Sequence, residues 1–222
     1  MPRVYHSVNP VLIDGWYIDD SNVIFQTTDI RSIAPEDVQI YNMNVMYRYF
    51  ISAGWTANAI AGMIGNVMVE SGLNPGAIQN YTTADWNNPQ SILDSTGGIG
   101  LTQWTPARKY YEWAVTNNLE PRSGVSMCER IIYESQNNLQ WSLDNVGRHT
   151  WHDFITSTEE PWLLADVWLW AYERPTDPDE EQRWENAEWV YQNIHGTIDF
   201  PLPVLLYMGT RKKGVNKRWL TI

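Results

Sequence analysis

The stretch Gly65-Asn66-Val67-Met68-Val69-Glu70-Ser71-Gly72-Leu73-Asn74-Pro75-Gly76 puts a single carboxylate at the end of an apolar helix and closes that helix at once. Thr56 is placed to cap the helix, which is expected over Ala57 to about Glu70, and Gly72 with the Asn74-Pro75-Gly76 turn ends it. At that end the negative pole of the helix dipole and the apolar neighbours both disfavour an ionised side chain, so Glu70 is expected to keep its proton near neutral pH. A carboxylic acid of that kind suits proton donation to a leaving glycosidic oxygen. From position alone, an ordinary solvated Glu at a helix end is the stronger reading. Gly62 and Gly65 lie inside the same helix, where each costs about 1 kcal/mol relative to Ala. With Ala57, Ala59 and Ala61 they form a small-residue surface that lets another helix or a strand approach closely.

Outward from this helix the chain reads as mostly helical. Ala34-Pro35-Glu36-Asp37 opens an earlier helix whose apolar positions Val38, Tyr41, Val45 and Tyr49 keep helical spacing up to Gly54. Residues 77–98 read as a loop with at most a small hairpin, and Ile99 to Trp104 as a short strand. Thr105 and Pro106 have cap and first-turn chemistry for a helix to about Thr116. Ser126 and Glu129 form a capping box for another to about Trp141, and a further helix is expected from near Thr158 to Arg174. Asp177 as cap, Pro178, the acids Asp179, Glu180 and Glu181, then His195 and Gly196 bound the last. The expected class is therefore α+β and mostly helical, with a compact domain over 34–196. Residues 1–33, with short strands at Val11-Leu12-Ile13, Trp16-Tyr17-Ile18 and Val23-Ile24-Phe25, form a β-rich extension suited to docking. Residues 197–222 form a C-terminal arm with a basic tail.

Composition narrows the function. The 222 residues carry a formal net charge of −11, although Arg211, Lys212, Lys213, Lys217 and Arg218 crowd into a tail without acids, so the body is more acidic still. Nucleic acid is thereby excluded as a main partner. The one cysteine, Cys128, rules out an intramolecular disulfide and a Cys-based zinc cluster, and reads as a buried small hydrophobe. His149-x-x-His152-Asp153 has metal-like spacing but no general-base Glu or third-ligand context, so neither metal nor cofactor is expected. No apolar segment is long enough to insert in a membrane, and the N-terminal residues show no secretory h-region. Thirteen Trp among 13% aromatics leave sugar binding and a bulky core both open.

Several blocks, in order, resemble one family: Ala61-Gly62-Met63-Ile64-Gly65-Asn66, Glu70 to Gly76, Gly100-Leu101-Thr102-Gln103-Trp104-Thr105 and Tyr172-Glu173-Arg174-Pro175. They look like the lysozyme domain of bacteriophage tail-tip proteins, the phage tail lysozymes of short-tailed phages that infect Gram-positive hosts. The resemblance runs from about residue 40 to 196 and covers neither the N-terminal extension nor the basic tail. It implies a lysozyme-like fold, a cleft between a helical lobe and a small β-region, and hydrolysis of peptidoglycan glycan strands. Relatives can carry a separate metallopeptidase domain; the residues after Gly196 are too few for one.

Carried over by position, Glu70 matches the family's catalytic acid, and Gln103, Trp104 and Thr105 match residues lining the cleft. Tyr172 and Glu173 are placed to reach substrate from a helix end, although pairing of Glu173 with an Arg is the stronger reading. A second carboxylate is sought in the loop at Asp85 or Asp94, with Asp94 better placed just before Gly97-Gly98. If neither serves, the substrate's N-acetyl group or a transglycosylase route remains. Trp113, Trp141, Trp168 and Trp189 fall in expected helices and read as core, whereas Trp104 and Trp86 fall where a glycan would pass. The expectation is a glycoside hydrolase of the virion, made in the host cytoplasm and attached to other tail proteins through its arms, that opens the cell wall during genome entry. A lysis-phase endolysin and a catalytically silent sugar-binding tail protein are the rivals. Muramidase, glucosaminidase and lytic transglycosylase activities are not separated by these residues.

Overall fold

The computed structural model describes residues 11–13, 16–18, 36–79, 84–144 and 149–194. Strands β1 (Val11–Ile13) and β2 (Trp16–Ile18) pair antiparallel, Leu12 opposite Tyr17, and β2 lies against α1 (Glu36–Ser52). Helices α2 (Ala57–Ser71), α3 (Pro89–Asp94), α4 (Arg108–Thr116), α5 (Gly124–Gln136), α6 (Trp151–Thr156), α7 (Pro161–Trp168) and α8 (Glu180–Asn193) follow. A π-helical turn, Leu169–Glu173, continues α7. The expected strand at Val23–Phe25, the boundary near residue 33 and the arm over 197–222 lie outside the described residues. No described helix is long and apolar enough to cross a membrane.

Helix α2 is the centre of the molecule. Every residue from Ala59 to Met68 is buried, as expected for a helix that is apolar on all sides and covered on several. Thr56 Oγ1 accepts from Ala59 N at 3.2 Å and donates to Ser157 O, while Gly72, at φ 60°, closes the helix with its N–H on Met68 O. Helices α7 and α8 pack on α2 and on each other. The two glycines decide how closely. A Cβ on Gly62 would sit 2.8 Å from Leu164 C, and one on Gly65 would sit 2.7 Å from Ala187 N and 2.8 Å from Arg183 O. Those neighbours are backbone atoms, so the glycines set the two helix crossings.

Several local expectations need correction. Ile99 to Trp104 is a turn and not a strand: Gly100 and Gln103 have φ of 75° and 49°, and only isolated bridges join Ile99 to Ile78 and to Trp104. Among the described residues, only the β1–β2 pair and such isolated bridges have β structure, so the small β-region expected around residues 77–104 is reduced to bridges. Thr105 and Pro106 do not open a helix; α4 starts at Arg108, and Thr105 Oγ1 bonds back to Gln103 O at 2.8 Å. Helix α5 begins at Gly124, so Ser126 lies inside it. Helix α3 stands where a loop was expected, with Asn88 as cap and Pro89 in its first turn. Helix α6 was missed although Thr150 and Asp153 form a complete capping box.

The aromatics mostly build core. Trp55, Trp141, Trp151, Phe154, Trp168 and Tyr172 form one cluster, with Trp141 and Trp151 at 4.2 Å and Trp168 stacked on Tyr172 at 4.3 Å. Cys128 is buried, and burial pushes its thiol well up, out of the reactive range.

Candidate active site

Glu70 occupies the last turn of α2, one residue before the helix ends. Because Gly65 lets α8 approach, Arg183 reaches across to it: Nη2 meets Glu70 Oε1 at 2.7 Å, with the side chains 3% and 18% exposed. The same guanidinium donates from Nη1 to Asn66 Oδ1 at 3.0 Å and from Nε to Pro178 O at 2.7 Å. Asn66 completes the junction by donating to Gly62 O and to Ala165 O of α7, at 3.0 and 2.9 Å. Helices α2, α7 and α8 are thus joined by one polar network directly behind Glu70. The dipole and apolar neighbours are not the only influences on this carboxylate; a buried guanidinium rests on it.

Glu173 ends the π-helical turn. The wider turn brings it onto the face of Trp168, five residues earlier, whose indole Nε1 donates to Glu173 Oε1 at 2.8 Å. Burial holds the Glu173 carboxyl well above its ordinary range, and the charge of Glu70 acts in the same direction. Arg183 and the Trp168 bond oppose these influences, and the charge of Glu134 adds a smaller upward push. Glu173 therefore responds to both members of the Glu70–Arg183 pair.

The remaining sequence-predicted residues fall elsewhere. Trp104 does not offer a stacking face: it is 3% exposed, stacked on Tyr110 at 4.6 Å, and its Nε1 points to Glu134 Oε1 at 3.2 Å. Tyr172 likewise is core, with its hydroxyl donating to Glu134 Oε2 at 2.5 Å. Glu134, buried on α5 and also bonded by Arg130 Nε at 2.7 Å, is the hub of this second polar cluster. Gln103 is half-buried, its Nε2 on Gly100 O at 2.8 Å, and Thr105 is exposed beside it. Asp85 and Asp94 are both exposed. Asp85 accepts from Asn87 N at 2.9 Å, and Asp94 accepts from Gln90 Nε2 at 2.9 Å; neither pairs with Glu70, Glu173 or Arg183. His149 pairs with Glu159 at 2.8 Å, and no group of His, Cys, Asp and Glu suited to a metal occurs among the described residues.

Two residues that organise these polar networks escaped sequence reasoning. Arg183 gave no local signal, since its contacts lie across the fold. Glu134 did give one: it continues the buried stripe Met127, Ile131, Glu134 at helical spacing. Chemically, the site offers two neighbouring carboxylates with one guanidinium, a set able to hold and release a proton.

A family model described as phage tail lysozyme matches residues 41–194. Morphogenesis protein 1 of Bacillus phage B103 is 37% identical to this chain over 155 residues, a stretch covering 70% of the chain and 40% of that protein.

Proposed function

This chain belongs to the phage tail lysozyme family, and from that membership we propose that it is a glycoside hydrolase of the virion that cuts peptidoglycan glycan strands during genome entry. In this reading Glu70 is the general acid that protonates the leaving glycosidic oxygen. The observation that carries it is the carboxylate pair: Glu70 at the end of α2 beside Glu173, a group that burial keeps protonated above the usual carboxylate range. A carboxyl whose hold on its proton is strengthened by burial, within electrostatic reach of a second carboxylate, suits glycoside cleavage. A name referring to morphogenesis, borne by the phage B103 relative, supports a place in the assembled particle, with other tail proteins as neighbours.

The test is cleavage of purified cell wall. Wild-type protein is expected to release muropeptides and Glu70→Gln to release none per folded molecule, with a lowered thermal midpoint because the buried Arg183 guanidinium loses its carboxylate. Full activity in Glu70→Gln removes Glu70 from the mechanism, and binding of glycan strands without any product from the wild type overturns the enzymatic reading. Detection of the protein in purified particles supports the virion assignment over lysis-phase release. Mass spectrometry of the products identifies the bond cut, since the reducing-end sugar and a 1,6-anhydro group separate the three activities.

A further inference from the structure

Two irregular segments lead to the site carboxylates, and both come to rest on α5. The first is the chain that leaves α2 after Glu70. It is tied to the Ile99–Trp104 turn, with Gly100 N donating to Ala77 O at 2.8 Å and Gln79 N to Gly98 O at 2.9 Å. That turn lies on α5: Leu101 N donates to Met127 Sδ at 3.4 Å, and a Cβ on Gly100 would stand 2.7 Å from Met127 Cε. Two helical turns further along the same face, Glu134 accepts from Trp104 Nε1 at 3.2 Å. The second segment is the π-helical turn, and Glu134 holds that as well, accepting from Tyr172 OH at 2.5 Å. Tyr172 stacks on Trp168 at 4.3 Å, and Trp168 Nε1 donates to Glu173 Oε1 at 2.8 Å. One carboxylate, 1% exposed, thus joins the exit of Glu70 to the seat of Glu173.

We propose that Glu134 is a positioning residue for the reaction: from α5 it holds the turn tied to the exit of Glu70 and the turn that ends at Glu173 in one fixed arrangement, without touching substrate. The inference rests on the glycosidase reading above. An ion pair that served α5 alone would need only Arg130, one helical turn back, whose Nε donates at 2.7 Å. The two further donors come from other parts of the chain, 30 and 38 positions away. A carboxylate can accept all three because its two oxygens face different directions, and buried bonds to it are stronger than neutral ones. Such fixing matters at a reacting centre, where a misplacement of about 1 Å costs about 100-fold in rate.

Glu134→Gln tests this, because the amide keeps the volume but puts an NH2 group where an oxygen stood, so Trp104, Tyr172 and Arg130 can no longer all donate. Tyr172→Phe and Trp104→Phe each remove one donor. Cleavage of purified peptidoglycan is measured per folded molecule, well below each thermal midpoint. Glu134→Gln is expected to lose about tenfold or more in kcat with KM within about twofold of wild type. Each single-donor variant should lose less, and adding Tyr172→Phe to Glu134→Gln should cost little more, since both act through one contact. Wild-type kcat in folded Glu134→Gln overturns the proposal, as does a raised KM at unchanged kcat, which would place the cluster on the substrate surface. If Glu134→Gln does not fold, the single-donor variants decide, and an unchanged kcat in either overturns it. A second measurement is independent of activity: hydrogen exchange of the Trp168 indole N–H in Glu134→Gln or Tyr172→Phe should quicken by about tenfold or more relative to the backbone N–H groups of α2, which report opening of the whole fold. An unchanged ratio overturns the proposal even where activity falls. A changed ratio in a protein whose wild type cleaves nothing supports the positioning while the glycosidase reading fails.

Discussion

Arg183 and Glu70 stand 113 positions apart in the chain and meet at 2.7 Å, because Gly65 has no side chain to hold their helices apart. The small residue, the helix crossing and the ion pair form a single construction, so a change far from the carboxylate should be felt at it.

Gly65→Ala should show this most directly. The added methyl meets backbone of Arg183 and Ala187, which cannot rotate away, so α8 has to move. The gain in helix propensity, about 1 kcal/mol, is outweighed by an overpacking cost of about 1–3 kcal/mol. A lower thermal midpoint together with a more than tenfold fall in glycan cleavage is expected. Stability lost with activity per folded molecule intact would separate the crossing from the site.

Arg183→Met removes the donor to Glu70, Asn66 and Pro178 O at once. Breaking a buried pair from one side costs about 3–5 kcal/mol, and chemical denaturation should read a loss of that size. In a double-mutant cycle with Glu70→Gln the two changes should be non-additive by about 1 kcal/mol or more, since each removes half of one contact.

Tyr172→Phe deletes one donor to the buried Glu134 carboxylate and leaves the stack on Trp168 in place. A stability loss of about 1–3 kcal/mol with KM for glycan unchanged is expected. A raised KM with unchanged stability would return Tyr172 to the substrate surface.

The Glu173 carboxyl also leaves a mark on stability. Its folded-state pKa is raised, so its contribution is fully present below the unfolded value of about 4.3 and is lost as pH rises through the folded value. Asp153 and Glu159 are shifted the other way by their bonds to Thr150 and His149, so their contributions are lost as pH falls. Comparison of wild type with Glu173→Gln cancels those two. The wild type should lose stability relative to the variant as pH is raised from about 4, which thermal unfolding in a buffer series reads directly.

What the sequence discloses is what neighbours in sequence determine. Thr56 and Gly72 bound α2 correctly because caps act within a turn, and Gly62 and Gly65 announce close crossings by their cost. The same local chemistry misleads where it has competitors. Thr105 bonds back to Gln103 instead of capping α4, and Ile99 to Trp104 is turned by two left-handed residues although its side chains suit a strand. Thr150 and Asp153 carry a full cap signal beside a metal-like His spacing. At the site, Glu70 was singled out by the family resemblance, since its helix-end position alone favours a solvated Glu. Its guanidinium partner was not, because no rule of spacing connects α2 to α8 before the core exists. The burial of Trp104 and Tyr172 follows from Glu134, a charged residue on an apolar stripe that only a folded core can satisfy.

The π-helical turn at Leu169–Glu173 makes the direction of Glu173 depend on backbone winding as well as on residue type. An α-helix turns by 100° per residue, so rewinding these same residues as ordinary α-helix, with none removed, would swing the carboxylate of Glu173 by roughly that angle, off Trp168. Substitutions within the turn that respect its buried side chains leave the direction intact. A change that restores ordinary winding without removing a residue should therefore cost the Trp168–Glu173 bond even where every buried side chain is kept.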